Sequence, residues 1–294
     1  MKGPGLLDLQ VNGYAGVDFN DPALTADALD HALHAMLQAG VTQCLPTLIT
    51  ATADQLAARF AALDAAVAHS RLGPLMAPLR RPIRLLTLAA ELPGAEALIA
   101  WAAAHGIVVA IGHSDAGAAV VARAAAAGAR MSTHLGNGLP QVLPKLDNPI
   151  MAQLAEDRLV AGFIADGVHL PVAALRVMVR AKGPGRAVLV TDAVAAAAAP
   201  PGRYGFAGMA IDGAADGSVR TPGAGTLAGS ALTLDRAVRN VVGWGIADAA
   251  GAVAMASTAP AALMGLPPTG DVEWTADLHV QASRVGDVVY RRPA

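Results

Sequence analysis

The sequence predicts an α/β protein, a TIM-like (β/α)8 barrel with one strand/helix unit missing. Short apolar or β-branched runs alternate with amphipathic segments over the first two thirds of the chain, the pattern of parallel strands joined by right-handed crossovers. Polar residues suited to chemistry stand at the C-terminal ends of several successive runs. That distribution favours a closed barrel over an open sheet, which gathers its ligand at one switch point. The chain has 294 residues, within the usual range of one such barrel.

Taken in order, Leu6 to Asn12 reads as a strand, followed by a loop at Gly13 and Gly16. A helix announced by Asp21-Pro22 places Leu29, Leu33, Met36 and Leu37 on one face and ends at Gly40. Val41 to Ile49 is the second strand. Thr52, with Gln55 three residues on, forms a capping-box pattern ahead of a helix carrying Leu56, Phe60, Leu63 and Val67 at helical spacing. Ile83 to Ala89 is a strand, then a helix runs from Pro93-Gly94 to His105-Gly106. Ile107 to Gly112 is apolar almost throughout, as in a strand buried on both faces. Ser114 caps the next helix, Gly128 closes it, and Ala129 to His134 is a further strand. Leu159 to Ala165, a helix from Pro171 to Ala181, and Ala187 to Thr191 complete the alternation.

That makes roughly seven strands where a closed barrel needs eight. The shortfall lies between Val67 and Ile83, where residues 70 to 82 offer no run long enough for a strand plus a helix. Residues 193 to 229, rich in Gly, Pro and Ala, read as a loop or hairpin over the functional face. Helices follow over Ser230 to Val242 and Ile246 to Leu263, and the tail carries strand patterns at Ala276 to Gln281 and Val285 to Arg291.

Composition narrows the function. With 21 basic against 23 acidic side chains the formal charge is −2, and the only lysines, Lys2, Lys145 and Lys182, are scattered, so nucleic acid is excluded as a partner. Hydrophobic residues make up 54% of the chain, which supplies a large core, though much of it is alanine and depends on close packing. Cys44 is the single cysteine, so an intramolecular disulfide and a cysteine zinc cluster are both excluded, in keeping with the cytoplasm. The N-terminal apolar stretch is too short for a signal peptide, and the long uncharged run from Ala249 to Gly270 is broken by Pro260, Pro267 and Pro268, so no membrane span is expected.

The chemistry centres on His113, in Gly112-His113-Ser114, and His134, in Thr133-His134-Leu135. Each follows an apolar or β-branched run, so both rings project toward one mouth, where neutral imidazoles bind a divalent ion. Asp192 ends the last strand of the series and suits either a general acid/base or an N-cap. His169, in Asp166-Gly167-Val168-His169, is placed to donate to a substrate oxygen or is an idle loop residue. The turn Gly225-Thr226-Leu227-Ala228-Gly229-Ser230 could present backbone N–H groups to an anion or a sugar oxygen. His31, His34, His69, His105 and His279 read as surface or packing residues.

Together, Asp8-Leu9-Gln10-Val11-Asn12-Gly13, Leu45-Pro46-Thr47, Gly112-His113-Ser114, Thr133-His134-Leu135 with Asn137, Asp166-Gly167-Val168-His169, Val190-Thr191-Asp192-Ala193 and Gly225 to Ser230 resemble the N-acetylglucosamine-6-phosphate deacetylase family of the amidohydrolase superfamily. The resemblance spans residues 3 to about 265. It implies a barrel over residues 1–265 and, over 266–294, the remnant of a small β-sandwich. It implies hydrolysis of the acetamide of an amino-sugar phosphate with one divalent ion, Zn2+, on His113 and His134, and Asp192 as acid/base. By matching position His169, Asn137, Gly138 and Leu227 contact substrate. Lys145 falls where the family commonly has a phosphate-binding arginine that reaches into a partner subunit, so a homodimer is implied, with a point charge replacing a bidentate grip. Gln10 and Asn12 stand where many superfamily members carry His-x-His, as in single-metal members. The family's His-x-Glu-Gly-Pro segment on the third strand, whose glutamate is a metal ligand, is absent, and its place is the stretch where the strand count falls short. Glu91 is the nearest substitute in sequence, although its matching position is not a ligand. The chain therefore reads as a deacetylase relative with an impaired metal site, the alternatives being an amidohydrolase acting on a different amide and an inactive remnant that binds a sugar phosphate.

Overall fold

A computed structural model describes residues 1–76, 83–183 and 185–293. All of the alternating strands are present, each slightly shorter than its apolar run. Parallel ladders join Leu85–Leu88, Val108–Ile111, Ala129–Ser132, Val160–Phe163 and Ala187–Leu189 in that order, and Leu6–Val11 pairs in parallel with Val41–Pro46. Backbone bonds beyond Leu189 link the two sets: Asp192 N–H donates to the Gln10 carbonyl at 2.9 Å and Asn12 N–H to the Ala193 carbonyl at 2.7 Å. The parallel run thus begins at Val41–Pro46 and ends at Leu85–Leu88. Among the described residues neither of these strands has a partner on its outer edge.

Amphipathic helices follow the strands as their spacing predicts. In Ala26–Gln38 the residues Leu29, Leu33, Met36 and Leu37 are buried, and Ala53–His69 starts with Thr52 and Gln55 in a complete capping box. The helix Ala118–Ala127 departs from expectation: Gly117, not Ser114, stands at its N-cap, because the Ser114 hydroxyl is engaged elsewhere. The helix expected from Ile246 to Leu263 is two, Ala249–Ala256 and Thr258–Met264, broken at Ser257. A helix not foreseen, Pro149–Ala155, begins where Asn148 accepts the N–H groups of Ile150 and Met151.

Residues 77–82, part of the stretch expected to lack a unit, lie outside the described residues. The part that precedes them is a turn and a short helix, Gly73–Met76. The Asp30 carboxylate accepts from the Ser70 hydroxyl at 2.7 Å and from the N–H groups of Arg71 and Leu72 at 3.0 and 2.9 Å. This anchor turns Leu72 and Met76 into the main core beside Leu45 and Leu63.

The 193 to 229 stretch contains a three-stranded antiparallel sheet, Gly202–Phe206, Met209–Gly213 and Val219–Arg220. The tail strands Asp271–Trp274, Val280–Val285 and Val288–Arg291 form a second antiparallel sheet, and Lys2–Pro4 joins its edge beside Asp271–Trp274. That small sheet therefore draws on both ends of the sequence, whereas the sequence placed it within the tail.

Candidate active site

Three residues singled out from sequence share one backbone feature. His113, His134 and Asp192 have φ of 51°, 29° and 50°, in or near the left-handed region that costs a non-glycine residue about 1–2 kcal/mol. Each stands just past a strand end, where the chain turns abruptly and throws its side chain across the mouth of the sheet. Strain of this kind persists only where surrounding structure holds it.

The two imidazoles meet. Their ring centroids are 4.8 Å apart at 82°, and the two Nε2 atoms face each other at 3.1 Å. Burial pushes the His134 pKa down to about 4, and burial together with the neighbouring His134 lowers that of His113, so both rings are neutral at pH 7. Gly138, φ 65°, lies flat against His113: a Cβ there would stand 2.4 Å from its Nδ1. Asn137 braces the same turn, its side-chain amide and its N–H each donating to the His134 carbonyl at 3.0 Å.

Asp192 lies between this pair and the first strand. Its Oδ1 accepts from Gln10 Nε2 and Asn12 Nδ2, both at 2.8 Å, so the two residues that stand in place of His-x-His orient a carboxylate. Burial raises its pKa to about 6 against the opposing pull of Asn12, His169, His113 and Gln10. Beneath it the buried Asp8 accepts from the Thr191 hydroxyl at 2.5 Å and from the N–H groups of Thr191 and Gln10, both at 3.2 Å. Burial raises Asp8 to about 7. Sequence reading did not single out Asp8 as a brace; its i, i+2 spacing to Gln10 was the available signal.

His169 is held by Asp166. Its Nδ1 sits 2.6 Å from Asp166 Oδ2, while Oδ1 of the same carboxylate accepts the N–H groups of Val168 and His169. Both side chains are under one tenth exposed, and the ring influences Asp192 and His134 electrostatically, which places it in the same site. Burial would raise the Asp166 pKa, but the bonds and charge of His169 outweigh it and leave the carboxyl below its usual range.

The remaining candidates are placed differently. Leu227 is half-buried and bridges Arg220 across the turn. The backbone N–H groups of Ala228 and Ser230, expected to face a ligand, instead donate to the Val219 and Asp192 carbonyls, so this turn seats the Asp192 backbone. Lys145 is exposed on the loop that leads to Asn148. Glu91 does not aim at the imidazoles: its carboxylate accepts the Ser114 hydroxyl and the Asp115 N–H.

Whether these residues suit a divalent ion can be tested on geometry. Two nitrogens bound to one tetrahedral zinc at ordinary bond lengths stand about 3.3 Å apart, close to the 3.1 Å between the two Nε2 atoms. The neutral imidazole pair therefore fits as two ligands. A cluster of three or more His, Cys, Asp or Glu side chains poised for a metal does not occur among the described residues.

A parallel α/β scaffold that gathers two neutral imidazoles and a buried, raised-pKa carboxylate at its strand ends has groups suited to acid/base chemistry. Comparison with known proteins sharpens this. No family model matches the chain. The N-acetylglucosamine-6-phosphate deacetylase of Homo sapiens is 31% identical over 99% of this chain and 84% of its own length. The Vibrio furnissii deacetylase of the same name is 31% identical over 90% of the chain, and an N-acetylgalactosamine-6-phosphate deacetylase of Shewanella is 31% identical over 91%. Among solved structures, a variant of the Mycobacterium smegmatis deacetylase in complex with N-acetyl-D-glucosamine-6-phosphate superposes with TM-score 0.86 at 28% identity, covering 96% of this chain and 85% of that one. The Pasteurella multocida enzyme gives 0.87 at 26%. The chain belongs to the N-acetylglucosamine-6-phosphate deacetylase family. It is shorter than its relatives: the alignment to the Bos taurus enzyme spans 346 positions against 294 residues here.

Proposed function

We propose that this protein hydrolyses the acetamide of N-acetylglucosamine 6-phosphate, giving glucosamine 6-phosphate and acetate. The observation that carries the reading is the meeting of His113 and His134 near Asp192, each of the three in a left-handed backbone just past the end of a parallel strand. His113 and His134 would hold one divalent ion, Zn2+ by the chemistry of its donors, which supplies a water of lowered pKa and polarises the amide carbonyl. Asp192 Oδ1 is fixed by Gln10 and Asn12, so Oδ2 is the atom left to take the proton of the attacking water. With a pKa near 6 the carboxylate is ionised at pH 7, yet acidic enough once protonated to pass that proton to the leaving amine. His169, its Nδ1 committed to Asp166, presents Nε2 to a substrate oxygen, while Asn137, Gly138, Leu227 and Lys145 complete the substrate site.

The same reading includes a barrel with its third unit lost, residues 1–265 apart from Lys2–Pro4 as the catalytic domain, and residues 266–294 with Lys2–Pro4 as the small sheet. Loss of that unit removes the third ligand, so we infer weak metal binding and slow turnover. A homodimer is supported by Val142 and Leu146, 89% and 73% exposed beside Lys145. The proposed location is the cytoplasm, a reducing compartment that suits the lone, buried Cys44. No helix among the described residues is long and apolar enough to cross a membrane.

The test is acetate release by the purified chain from N-acetylglucosamine 6-phosphate, with zinc supplied and then chelated. Slow, zinc-dependent release is expected. No release at any metal concentration overturns the reading, and tight stoichiometric zinc with brisk turnover overturns the impairment. The Shewanella relative favours a second reading, in which the sugar is N-acetylgalactosamine 6-phosphate. Comparing the two phosphosugars decides between them.

A further inference from the structure

The Ser114 hydroxyl is the hub of a small network that sits directly after His113. It accepts the N–H groups of Ala90 and Ala116, each at 3.3 Å, and donates to one oxygen of Glu91. The other Glu91 oxygen accepts the Asp115 N–H at 2.8 Å. Glu91 follows the strand Leu85–Leu88, which forms the open end of the parallel run, and His113 follows the next strand, Val108–Ile111. The last ladder bond between these strands is Gly112 N–H to the Leu88 carbonyl, one residue before His113. Beyond that bond the Glu91 carboxylate ties the two chains together.

We propose that Glu91 is a positioning residue: by gripping Ser114 and Asp115 it holds His113 in its left-handed conformation with Nε2 turned to His134. A left-handed histidine relaxes toward an extended backbone when its neighbours are released, and such a change swings the ring away from its partner. Gly138 supports the far face of the ring but places no bond on the backbone that carries it. The Glu91 carboxylate is suited to the grip because an ionised acceptor makes shorter and stronger bonds than a neutral one. This inference rests on the proposed role of the imidazole pair as metal ligands.

The experiment uses the full chain and its Glu91→Ala, Glu91→Gln and Ser114→Ala variants. Zinc affinity is measured by competition with a chromogenic chelator, the histidine rings of the metal-free protein by 15N NMR, and global stability by thermal melting. Glu91→Ala is expected to weaken zinc at least tenfold and to shift the His113 ring signals. Glu91→Gln keeps an acceptor for the Asp115 N–H, but its NH2 meets a Ser114 oxygen that already accepts from Ala90 and Ala116, so its zinc affinity should fall between those of the original chain and Glu91→Ala. Ser114→Ala should weaken zinc while its melting temperature stays within a few degrees, and it carries the test should Glu91→Ala fail to fold. Zinc affinity in both alanine variants within twofold of the original chain overturns the proposal, as does a Glu91→Gln variant that binds zinc no more tightly than Glu91→Ala. Should the original chain itself bind no zinc, the ligand reading of the histidines falls, and the metal-free spectra judge Glu91 on their own: shifted His113 signals in the alanine variants support the grip, and unchanged signals overturn it.

Discussion

Replacing Asp192 by asparagine separates what this carboxylate does for turnover from what it does to the fold. The amide oxygen can still accept from Gln10 and Asn12, so the side chain keeps its place, but it can no longer take a proton at neutral pH. Loss of a general acid/base typically lowers the rate about 10²–10⁴-fold. The fold responds in the opposite sense. Burial raises the Asp192 pKa from 3.8 to about 6, and each pKa unit corresponds to about 1.4 kcal/mol, so the ionised group opposes folding by about 3 kcal/mol. That cost is absent below pH 3.8, where folded and unfolded states are both protonated. It grows as pH rises through the window between the two values and is complete above about pH 6. Removing the charge also relieves Asp8, whose pKa Asp192 helps to raise. Urea denaturation in the presence of chelator should therefore show Asp192→Asn gaining stability relative to the original chain between pH 4 and pH 8, by about 3 kcal/mol, while acetate release collapses. A stability difference that does not change with pH, or activity that survives the substitution, refutes the placement of a raised-pKa base at this position.

Three further outcomes follow from the same geometry. Gly138→Ala places a methyl 2.4 Å from His113 Nδ1 at a φ of 65°, and should cost about 1–3 kcal/mol in chemical denaturation while weakening zinc in a chelator competition. Asp166→Asn exchanges an acceptor of the His169 Nδ1–H for an amide, and should lower kcat/KM about tenfold or more, with a changed tautomer visible in the 15N spectrum of that ring. Met76→Ala empties a fully buried position in the turn anchored by Asp30, and should destabilise the protein by about 2–5 kcal/mol in urea while leaving KM unchanged.

The strands and the imidazole pair were legible in the sequence because both rest on local patterns. An apolar run followed by a histidine reports a strand end whatever the partners are. The alternation falls one member short between Val67 and Ile83, and of that stretch the structure describes a turn and a short helix over residues 70–76. What escaped depends on contacts distant in sequence. Ser114 carries the mark of an N-cap, yet its hydroxyl is claimed by Glu91 from 23 residues away, and the helix falls back on Gly117. Glu91 stood out only as the carboxylate nearest in sequence to the absent ligand, because a carboxylate near a strand end looks the same whether it faces a metal or grips a loop. The N–H groups of Ala228 and Ser230 looked free for a ligand, and only the folded chain shows Val219 and Asp192 occupying them. The entry of Lys2–Pro4 into the tail sheet, paired with residues at the other end of the chain, had no local sign at all.

The left-handed backbone at His113, His134 and Asp192 sets two selective pressures against each other. Glycine at any of the three would relieve torsional strain of about 1 kcal/mol, a gain that a screen for heat resistance would reward. The same exchange would delete the imidazole or carboxylate on which the proposed chemistry depends. Directed evolution for robustness alone should thus drift toward a sturdier but silent protein, and a search for faster variants should hold these codons fixed.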